Sequence, residues 1–521
     1  MSTLPALATA FTPSDVNLAA LGPVGVIMLA AFIGLLVEAF APRRSRHNVQ
    51  VALIVGSLLL AFVLLIANRA SMEGATLGGA YVLDGTGWFL QVIIVFSSLL
   101  ALVIAAERFG GRLADAFTPS GASVPGSPQE ALAERSGSAT EIFPLALFSV
   151  SGMMVFVSAG DLLTMFVALE VLSLPLYVMT ALARRRRLLS QEAGLKYFLL
   201  GSFASAFFLF GSALLFGFAG SVNIASIGSA VAMVTGRDAL LVGGVLLVLI
   251  GILFKVGAVP FHFWTPDVYQ GAPTAVTGFM ASVTKIAAFG ALLRVVYVGF
   301  EGVRWNYEFV LWGVAALTMI VGSVMTITQT DIKRMLAYSS VAHAGFILVG
   351  LIAFDRTGVE GVAFYLTAYA LTTIAGFGLV TLVRTRGAEA TELRQWAGLG
   401  KDHPIIAGSM GLALLSFAGI PLTSGFTAKV AAFSAAIVHA GVAGVTLAVI
   451  GVLCSAVTAF VYFRIILLMF FSDRGEEEVT VALPSALTQA AIALGLVATI
   501  LLGVLPGPIL ATLGDATLFL R

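Results

Sequence analysis

The stretch that decides the fold of this chain is 239–262, which reads ALLVGGVLLVLIGILFKVGAVPFH. It opens with an unbroken run of apolar residues and glycine, and a helix needs about 20 such residues to cross the hydrocarbon core of a bilayer. The run then meets Lys255, Gly257 and Pro260, a charge followed by two residues that end helices. We therefore predict a spanning helix that breaks beside a buried lysine. Such breaks occur within membranes where the backbone lines a polar cavity.

The whole chain of 521 residues has the composition of a membrane protein. Hydrophobic residues make up 59% and charged residues 11%, whereas soluble domains carry about 25% charged residues. A net charge of +1 gives no reason to expect nucleic acid as a partner. The single cysteine, Cys454, excludes an internal disulfide and cannot build a metal cluster.

Further runs of the same kind predict an all-α polytopic membrane protein of about 14 transmembrane helices. The predicted spans are 18–40, 49–68, 85–106, 142–159, 161–183, 194–218, 239–259, 274–298, 308–328, 335–353, 358–382, 404–437, 443–470 and 485–506. Span 404–437 is too long for one straight helix, and Phe417-Ala-Gly-Ile-Pro421-Leu-Thr-Ser-Gly425 breaks it.

The breaks near Pro260 and Pro421 lie five spans apart, so the units that contain them have opposite orientations in the membrane. Inverted repeats with broken helices are typical of transport proteins. Two coincidental kinks are the alternative that this pattern leaves open. The predicted organisation is an N-terminal three-helix segment with a cytoplasmic loop (1–141), two inverted five-helix repeats (142–298 and 308–470), and a C-terminal helix and tail (471–521).

The distribution of lysine and arginine predicts the orientation, because cytoplasmic loops hold the excess of both. With the N-terminus outside, the inner segments hold 17 basic residues and the outer segments hold 5. We therefore predict that both termini lie outside. Arg184–Arg187 lies between two spans, and we interpret it as a topology anchor and not as a nucleic-acid patch. Segment 107–141 is rich in Gly, Ser, Pro, Glu and Arg and is predicted to be a flexible cytoplasmic loop.

Four of only six lysines fall inside predicted spans, and they are Lys196, Lys255, Lys285 and Lys429. Each such charge costs roughly 2.5–3.5 kcal/mol at a helix centre. A buried lysine can release its proton whereas arginine cannot, so a row of lysines predicts a proton relay. The alternative for any one of them is snorkelling to the interface, which fits Lys196 because it lies close to the cytoplasmic end of its span.

Three other titratable residues lie in or beside the spans. Glu170 is a lone carboxylate in mid-membrane, and we interpret it as the counter-ion of a buried lysine, either Lys196 or Lys255. His262 and His343 could pass protons between lysines or could be hydrogen-bonded core residues, and their positions alone leave both interpretations open.

Two motifs carry a family resemblance. Gln329-Thr-Asp-Ile-Lys-Arg-Met-Leu-Ala-Tyr-Ser-Ser-Val-Ala-His-Ala-Gly345 resembles the signature of the antiporter-like subunits of respiratory complex I and of multi-subunit cation/proton antiporters. Trp264-Thr-Pro-Asp-Val-Tyr-Gln-Gly-Ala-Pro-Thr274, followed by Ser282-Val-Thr-Lys-Ile286, is similar to one branch of that family, the N-type subunits of bacterial NADH–quinone oxidoreductase, which are related to mitochondrial subunit 2. The resemblance covers roughly 142–470.

The resemblance implies residue roles that spacing does not give. The implied relay consists of a Glu170–Lys255 pair between the fifth and the broken seventh helix, Lys285 with His262 and His343 at the centre, Lys429 towards the outer exit, and Lys196 as an accessory lysine. The 107–141 loop departs from the family pattern and is not expected to touch this relay.

The function implied by the resemblance is that of a proton-translocating membrane subunit of complex I in the bacterial plasma (inner) membrane. NAD, FMN, iron–sulfur clusters and quinone are then expected in partner subunits, with no cofactor or metal in this chain. The expected partners are the other membrane and peripheral subunits, including neighbouring antiporter-like subunits, and the lipid bilayer. Because the sequence has no nucleotide-binding loop, a partner must supply the energy. A sodium/proton antiporter subunit is the alternative function, and a structural scaffold with replaceable lysines is a third.

Overall fold

The computed structural model describes residues 16–109, 115–121, 123–124, 126–130, 132, 139–474, 477–516 and 519–520. Arg112 and Arg135 of the predicted loop lie outside the described residues, as do the chain ends at 1–15 and 521. The prediction for the two termini therefore falls partly on residues that the structure does not describe.

Helices make up most of the described chain, because within lipid a helix pairs every backbone N–H and C=O inside one segment. The long helices are α1 (Leu18–Phe40), α2 (Arg43–Ala67), α3 (Gly85–Ala105), α4 (Ile142–Ser158), α5 (Leu162–Thr180), α6 (Arg187–Ala219), α7 (Asp238–Val256), α8 (Thr274–Gly299), α9 (Arg304–Ile327), α10 (Ile332–Leu351), α11 (Arg356–Leu382), α12 (Pro404–Ala418), α13 (Ser424–His439), α14 (Gly441–Phe471) and α15 (Ala486–Val504). Among the described residues, 12 helices are long and apolar enough to span a membrane. The shorter α4 and the broken pair α12–α13 occupy the other predicted spans, so the predicted polytopic all-α class is confirmed.

Short elements cap the two ends of this bundle. The short helices are Arg69–Met72, Ile224–Ala230, Trp264–Gly271, Leu399–Asp402 and Gly507–Ala516, with 3₁₀ turns at Leu77–Gly79, Glu301–Val303 and Leu393–Trp396. The strands are β1 (Gly74–Thr76), antiparallel to β2 (Tyr81–Leu83), and β3 (Val383–Thr385), which lies between β4 (Ala388–Glu389) and β5 (Val479–Val481). We call the end of the bundle that holds β3–β5 and Arg184–Arg187 the basic face.

Burial separates a central group of helices from the rest. The spanning windows of α8 and α11 are 100% buried and that of α10 is 94% buried, whereas those of α2 and α15 are 33% buried. The outward sides of α2 and α15 carry apolar residues suited to lipid or to neighbouring subunits. Because Lys285 and His343 lie on α8 and α10, the fold places both side chains at the centre of the bundle.

Both predicted breaks are present, and they share one geometry. α7 and α12 each end at a glycine in the left-handed region, Gly257 with φ 79° and Gly419 with φ 82°, which glycine adopts without strain. The shared bonds run from the N–H groups of Gly257 and Ala258 to Leu253 O at 3.1 and 3.0 Å, and from those of Gly419 and Ile420 to Leu415 O, both at 3.1 Å. The match supports an internal repeat, while its boundaries at 142–298 and 308–470 remain a proposal.

The segment predicted as a flexible loop, 107–141, is packed against the basic face in its described part. Asp115 forms an ion pair with Arg184 at 2.9 Å, and Glu130 forms one with Arg187 at 2.9 Å. Two of the arginines that we interpreted as topology anchors therefore also hold described residues of this segment. The predicted flexibility of the segment stays a prediction.

Candidate functional site

Lys255 lies in the last turn of α7, just before the break, and its side chain is buried. Its Nζ donates to Ser173 Oγ at 2.8 Å and to the Tyr197 hydroxyl at 3.1 Å. Glu170 lies one turn before Ser173 on α5, and its Oε1 is buried without a hydrogen-bond partner among the described residues. Hydroxyl groups, and not Glu170, therefore bond Lys255 here, and the Glu170–Lys255 pair stays a prediction.

Lys285 follows a turn of π-helix, Met280–Thr284, inside α8. Such turns are often found at functional sites. The Lys285 Nζ donates to the carbonyl and the hydroxyl of Ser340 on α10, at 2.5 and 2.6 Å, and lies 5.2 Å from the ring centroid of Tyr369. These partners are neutral, so the ammonium group at the centre of the bundle is held without a carboxylate.

Lys429 lies on α13, beside the second break. Its Nζ donates to Phe417 O at 3.1 Å, to Ala418 O at 2.9 Å and to Ser455 Oγ at 2.5 Å. The last carbonyls of a helix have no partner within the helix and form the negative end of its dipole, so they attract a cation. The break that ends α12 thus creates the oxygen cage of this lysine.

His343 links the second lysine to the third through aromatic rings. The Tyr369 ring, which contacts Lys285, lies 5.0 Å from the His343 ring between centroids. On the other side, the Phe346 ring lies 5.6 Å from His343 and 4.9 Å from the Nζ of Lys429. The predicted position of His343 between two lysines therefore has a geometric basis.

The two predicted histidines differ in their contacts. His343 Nδ1 forms a hydrogen bond with the Tyr365 hydroxyl at 2.8 Å. His262, just after the first break, lies beside Phe263 and 6.5 Å from the Tyr338 ring, and its Nδ1 is buried without a partner among the described residues. No contact in the described chain joins His262 to a lysine, so its role in the relay stays a prediction.

Lys196 does not belong to the buried row. Its side chain is 42% exposed and pairs with Glu192 at 2.7 Å and with Asp267 at 2.8 Å. Asp267 also pairs with Arg334 at 2.7 Å, which makes a small ion network. This geometry fits the snorkelling alternative, because the ammonium group is exposed and is paired with two carboxylates.

Aromatic side chains fill the space between Lys255 and Lys285. The ring of Tyr197, which bonds the first lysine, stacks on Trp264 with 4.7 Å between centroids. Trp264 in turn lies 6.1 Å from Tyr269, whose side chain interacts with Ser340, the partner of the second lysine. The short helix Trp264–Gly271, which follows the first break, positions this column.

Two further charged side chains are buried, and the sequence patterns did not single them out. Lys333, counted among the inner-loop residues, is 3% exposed and donates to Ala272 O at 2.6 Å. Arg294 in α8 forms a buried ion pair with Asp84 at 2.9 Å. Both had a signal in the sequence. Arg294 falls inside a predicted span, and Lys333 comes two residues after Asp331, which caps the start of α10.

The arrangement is suited to holding and passing protons. Lys255, Lys285 and Lys429 are each buried among neutral oxygen atoms and aromatic rings, so each ammonium is held without an ion-pair partner within the described chain. The described residues also contain no group of three His, Cys, Asp or Glu side chains that could hold a metal ion. The prediction that this chain carries no cofactor stays a prediction.

The sequence of this chain is similar to those of a known protein family. A family model described as NADH:quinone oxidoreductase/Mrp antiporter, transmembrane, matches residues 159–458. NADH-quinone oxidoreductase subunit N 3 of Streptomyces griseus is 51% identical, with 98% of this chain and 96% of the relative covered. NADH-quinone oxidoreductase subunit N of Rhodococcus opacus is 50% identical, with 97% of each chain covered.

The fold of this chain is similar to those of solved structures. A chain of respiratory complex I from Thermus thermophilus, solved with bound aureothin, is 31% identical with a TM-score of 0.75, and 94% of this chain and 99% of that chain are covered. A chain of the Mrp complex from a Dietzia species has a TM-score of 0.80 over 97% of each chain but is 22% identical, so this likeness concerns the fold alone.

Proposed function

The chain belongs to the NADH:quinone oxidoreductase/Mrp antiporter family as a proton-translocating membrane subunit of the oxidoreductase, and we propose that it moves protons along the buried row Lys255, Lys285 and Lys429. The row crosses the middle of the bundle from one break to the other. Electron transfer from NADH to quinone belongs to other subunits, which hold the NAD, FMN, iron–sulfur clusters and quinone.

One observation carries this proposal. Three lysines lie buried without an ion pair in the described chain, and rings and hydroxyl groups join them. A charge in a low-dielectric interior is costly, and a fixed structural cation would be expected to have a carboxylate beside it. Lysines held only by neutral oxygen atoms can exist in both protonation states. That property is what a relay needs and a scaffold does not.

Glu170 acts in this proposal as the electrostatic switch of the first lysine. It lies one turn from Ser173, the hydroxyl partner of Lys255, so a small shift of α5 changes the distance between carboxylate and ammonium. A nearby carboxylate favours the charged lysine, and moving it away favours release of the proton. Redox energy from partner subunits drives that shift.

The proposed placement is the bacterial plasma membrane, with the basic face in the cytoplasm and both termini outside. The excess of basic residues in the segments of that face supports the orientation. The partners are the other membrane and peripheral subunits of the complex, including neighbouring antiporter-like subunits. The poorly buried apolar helices α1, α2, α6, α14 and α15 offer the surfaces for them and for lipid.

Lys255→Arg tests the proposal most directly. Arginine keeps the positive charge but does not release its proton at any accessible pH, so we expect proton pumping and quinone reduction to fall while the complex still assembles. The measurement is pumping and NADH–quinone reductase rate in membranes, with complex content checked by immunoblot. Lys401→Arg, a change at an exposed lysine paired with Asp473, is the matched control. Wild-type pumping by Lys255→Arg would favour the scaffold interpretation.

A further inference from the structure

A cavity of about 250 Å³ opens at the basic face, outside the row of lysines. Its walls come from the 107–141 segment, the connection between α5 and α6, the residues just before α8, the start of α10 and the β3–β4 hairpin. Four arginines line it, and they are Arg184, Arg185, Arg186 and Arg384. Arginine stays protonated under all ordinary conditions, so these four residues supply positive potential but exchange no protons.

Lys333 is the lysine in the wall of this cavity. It is buried, and its Nζ donates to Ala272 O, two residues before the start of α8. Seven residues further along α10 lies Ser340, which two full turns bring to the same side of the helix about 10 Å deeper in the bundle. Ser340 is the residue that bonds Lys285, so one face of α10 joins the cavity to the central lysine.

Two carboxylates share the cavity with Lys333. Glu389 on β4 accepts a hydrogen bond from the hydroxyl of Thr274, the first residue of α8. Asp115 pairs with Arg184, and burial raises the pKa of this carboxyl although the arginine lowers it. Asp331, beside the cavity, faces Arg186 at 3.8 Å. Glu389 is thus the carboxylate that contacts the first residue of α8, the helix that carries Lys285.

Several polar atoms in the cavity walls require water. Thr391 Oγ1, Asp115 Oδ2 and Arg384 Nε are buried without a hydrogen-bond partner among the described residues. Buried polar atoms are almost always hydrogen-bonded, and a cavity of this volume has room for about eight water molecules at roughly 30 Å³ each. Water in the cavity would bring protons from the basic face to Lys333.

We propose that this cavity is the proton-uptake vestibule of the chain and that Lys333 takes protons from it and passes them towards Ser340 and Lys285. The inference rests on the proposed function. In each cycle the Lys333 ammonium gives one proton inward, and the resulting amine regains one from the bulk solution through cavity water, either directly or by way of Glu389, which takes its own proton from the same water. The loop around Asp115 forms one wall of the vestibule, so the segment with no expected part in the relay helps to build its entrance.

The test uses inside-out membrane vesicles, in which the basic face meets the bulk solution and bulk pH sets the proton supply. We would measure pumping and quinone reductase rate against pH for Lys333→Met, Lys333→Arg and Glu389→Gln, with Lys401→Met as the matched control at the same face. Without Lys333 or Glu389 to capture protons, proton uptake should limit the pumping rate already at a lower pH than in the wild type. The alkaline limb should then move to lower pH by about one unit, as a tenfold loss of proton capture would produce, while Lys401→Met stays unchanged.

Two other results would contradict the proposed vestibule. Profiles of Lys333→Met and Glu389→Gln that coincide with the wild type at normal complex content would overturn the vestibule. The vestibule would also be overturned if Lys333→Arg behaved like the wild type while Lys333→Met was defective. A fixed positive charge would then be enough at this position, as it would be if the arginines bound an anionic lipid headgroup. If Lys333→Met does not assemble, Glu389→Gln decides. Lys285→Met separates the two proposals: retained pumping there rejects the relay itself, whereas lost pumping with unshifted Lys333 profiles rejects only the vestibule.

Discussion

At the scale of single residues, the three buried lysines differ in the atoms that surround them. Lys429 faces two carbonyl oxygens and one hydroxyl, which together occupy the three N–H bonds of an ammonium. Lys255 faces two hydroxyls, Ser173 and Tyr197, which can donate as well as accept. A neutral amine has two N–H bonds, so at Lys255 it keeps both hydrogen bonds, whereas at Lys429 it serves only two of the three acceptors because the Ser455 hydroxyl donates its own proton to Ala418 O. This difference suits Lys255 to releasing protons and Lys429 to holding them.

His343→Leu should interrupt the link between Lys285 and Lys429. Leucine fills much of the volume but removes the hydrogen bond to Tyr365 and the ring nitrogens that could carry a proton. We expect pumping to fall by about tenfold or more, the usual effect of losing an acid–base group. Pumping and quinone reductase rate in membranes would show it.

His439→Leu is the matched control for that variant. His439 is 36% exposed at the end of the bundle opposite the basic face, and it pairs with Asp355 at 3.3 Å. Its loss should therefore leave pumping unchanged. Equal rates for the two variants would mean that His343 serves only as a core residue.

At the scale of elements, the broken helices turn backbone into ligands. Ending α12 at Gly419 leaves carbonyls that no later turn of helix can use, and Lys429 takes two of them. At the first break, the short helix Trp264–Gly271 brings Trp264 against Tyr197. Each break thus does two things, since it ends a spanning helix and positions the surroundings of one lysine.

Gly419→Ala should disturb the second break and its lysine together. Alanine in the left-handed region costs roughly 1–2 kcal/mol, and a methyl carbon at Gly419 would lie 3.0 Å from the Nζ of Lys429. Gly441→Ala is the control, because Gly441 also has a positive φ, 58°, but open space around it. We expect similar losses of thermal stability and a loss of pumping in Gly419→Ala alone. Equal pumping in the two variants would show that the break tolerates a displaced lysine.

At the scale of the whole molecule, the basic face and the opposite face differ in charge, and this difference predicts the orientation. Leu132→Cys places an exposed thiol in the loop of the basic face, and Met233→Cys places one between α6 and α7 at the other face. The native Cys454 is buried, so it should give a low background. In intact cells an impermeant reagent should label Met233→Cys and spare Leu132→Cys. The reverse pattern would put the basic face outside.

The fourteen helical positions, both breaks and the burial of Lys255, Lys285 and Lys429 could be predicted from the sequence. Each depends on local properties: the length of an apolar run, a glycine or proline that cannot continue a helix, and a charge in the middle of a span. These properties depend on the residue and on its depth in the bilayer, and neither depends on which helices lie beside the span.

The partners of those residues were decided by tertiary structure alone. Which oxygen atoms reach Lys255, why Lys333 is buried while Lys196 is 42% exposed, and how the 107–141 segment docks on arginines all depend on helices that are distant in the sequence. Basic residues near the ends of spans look alike in the sequence. Only packing determines whether such a residue faces solvent, an acid or a cavity, because the cost of burying a charge depends on the groups that the fold brings to it.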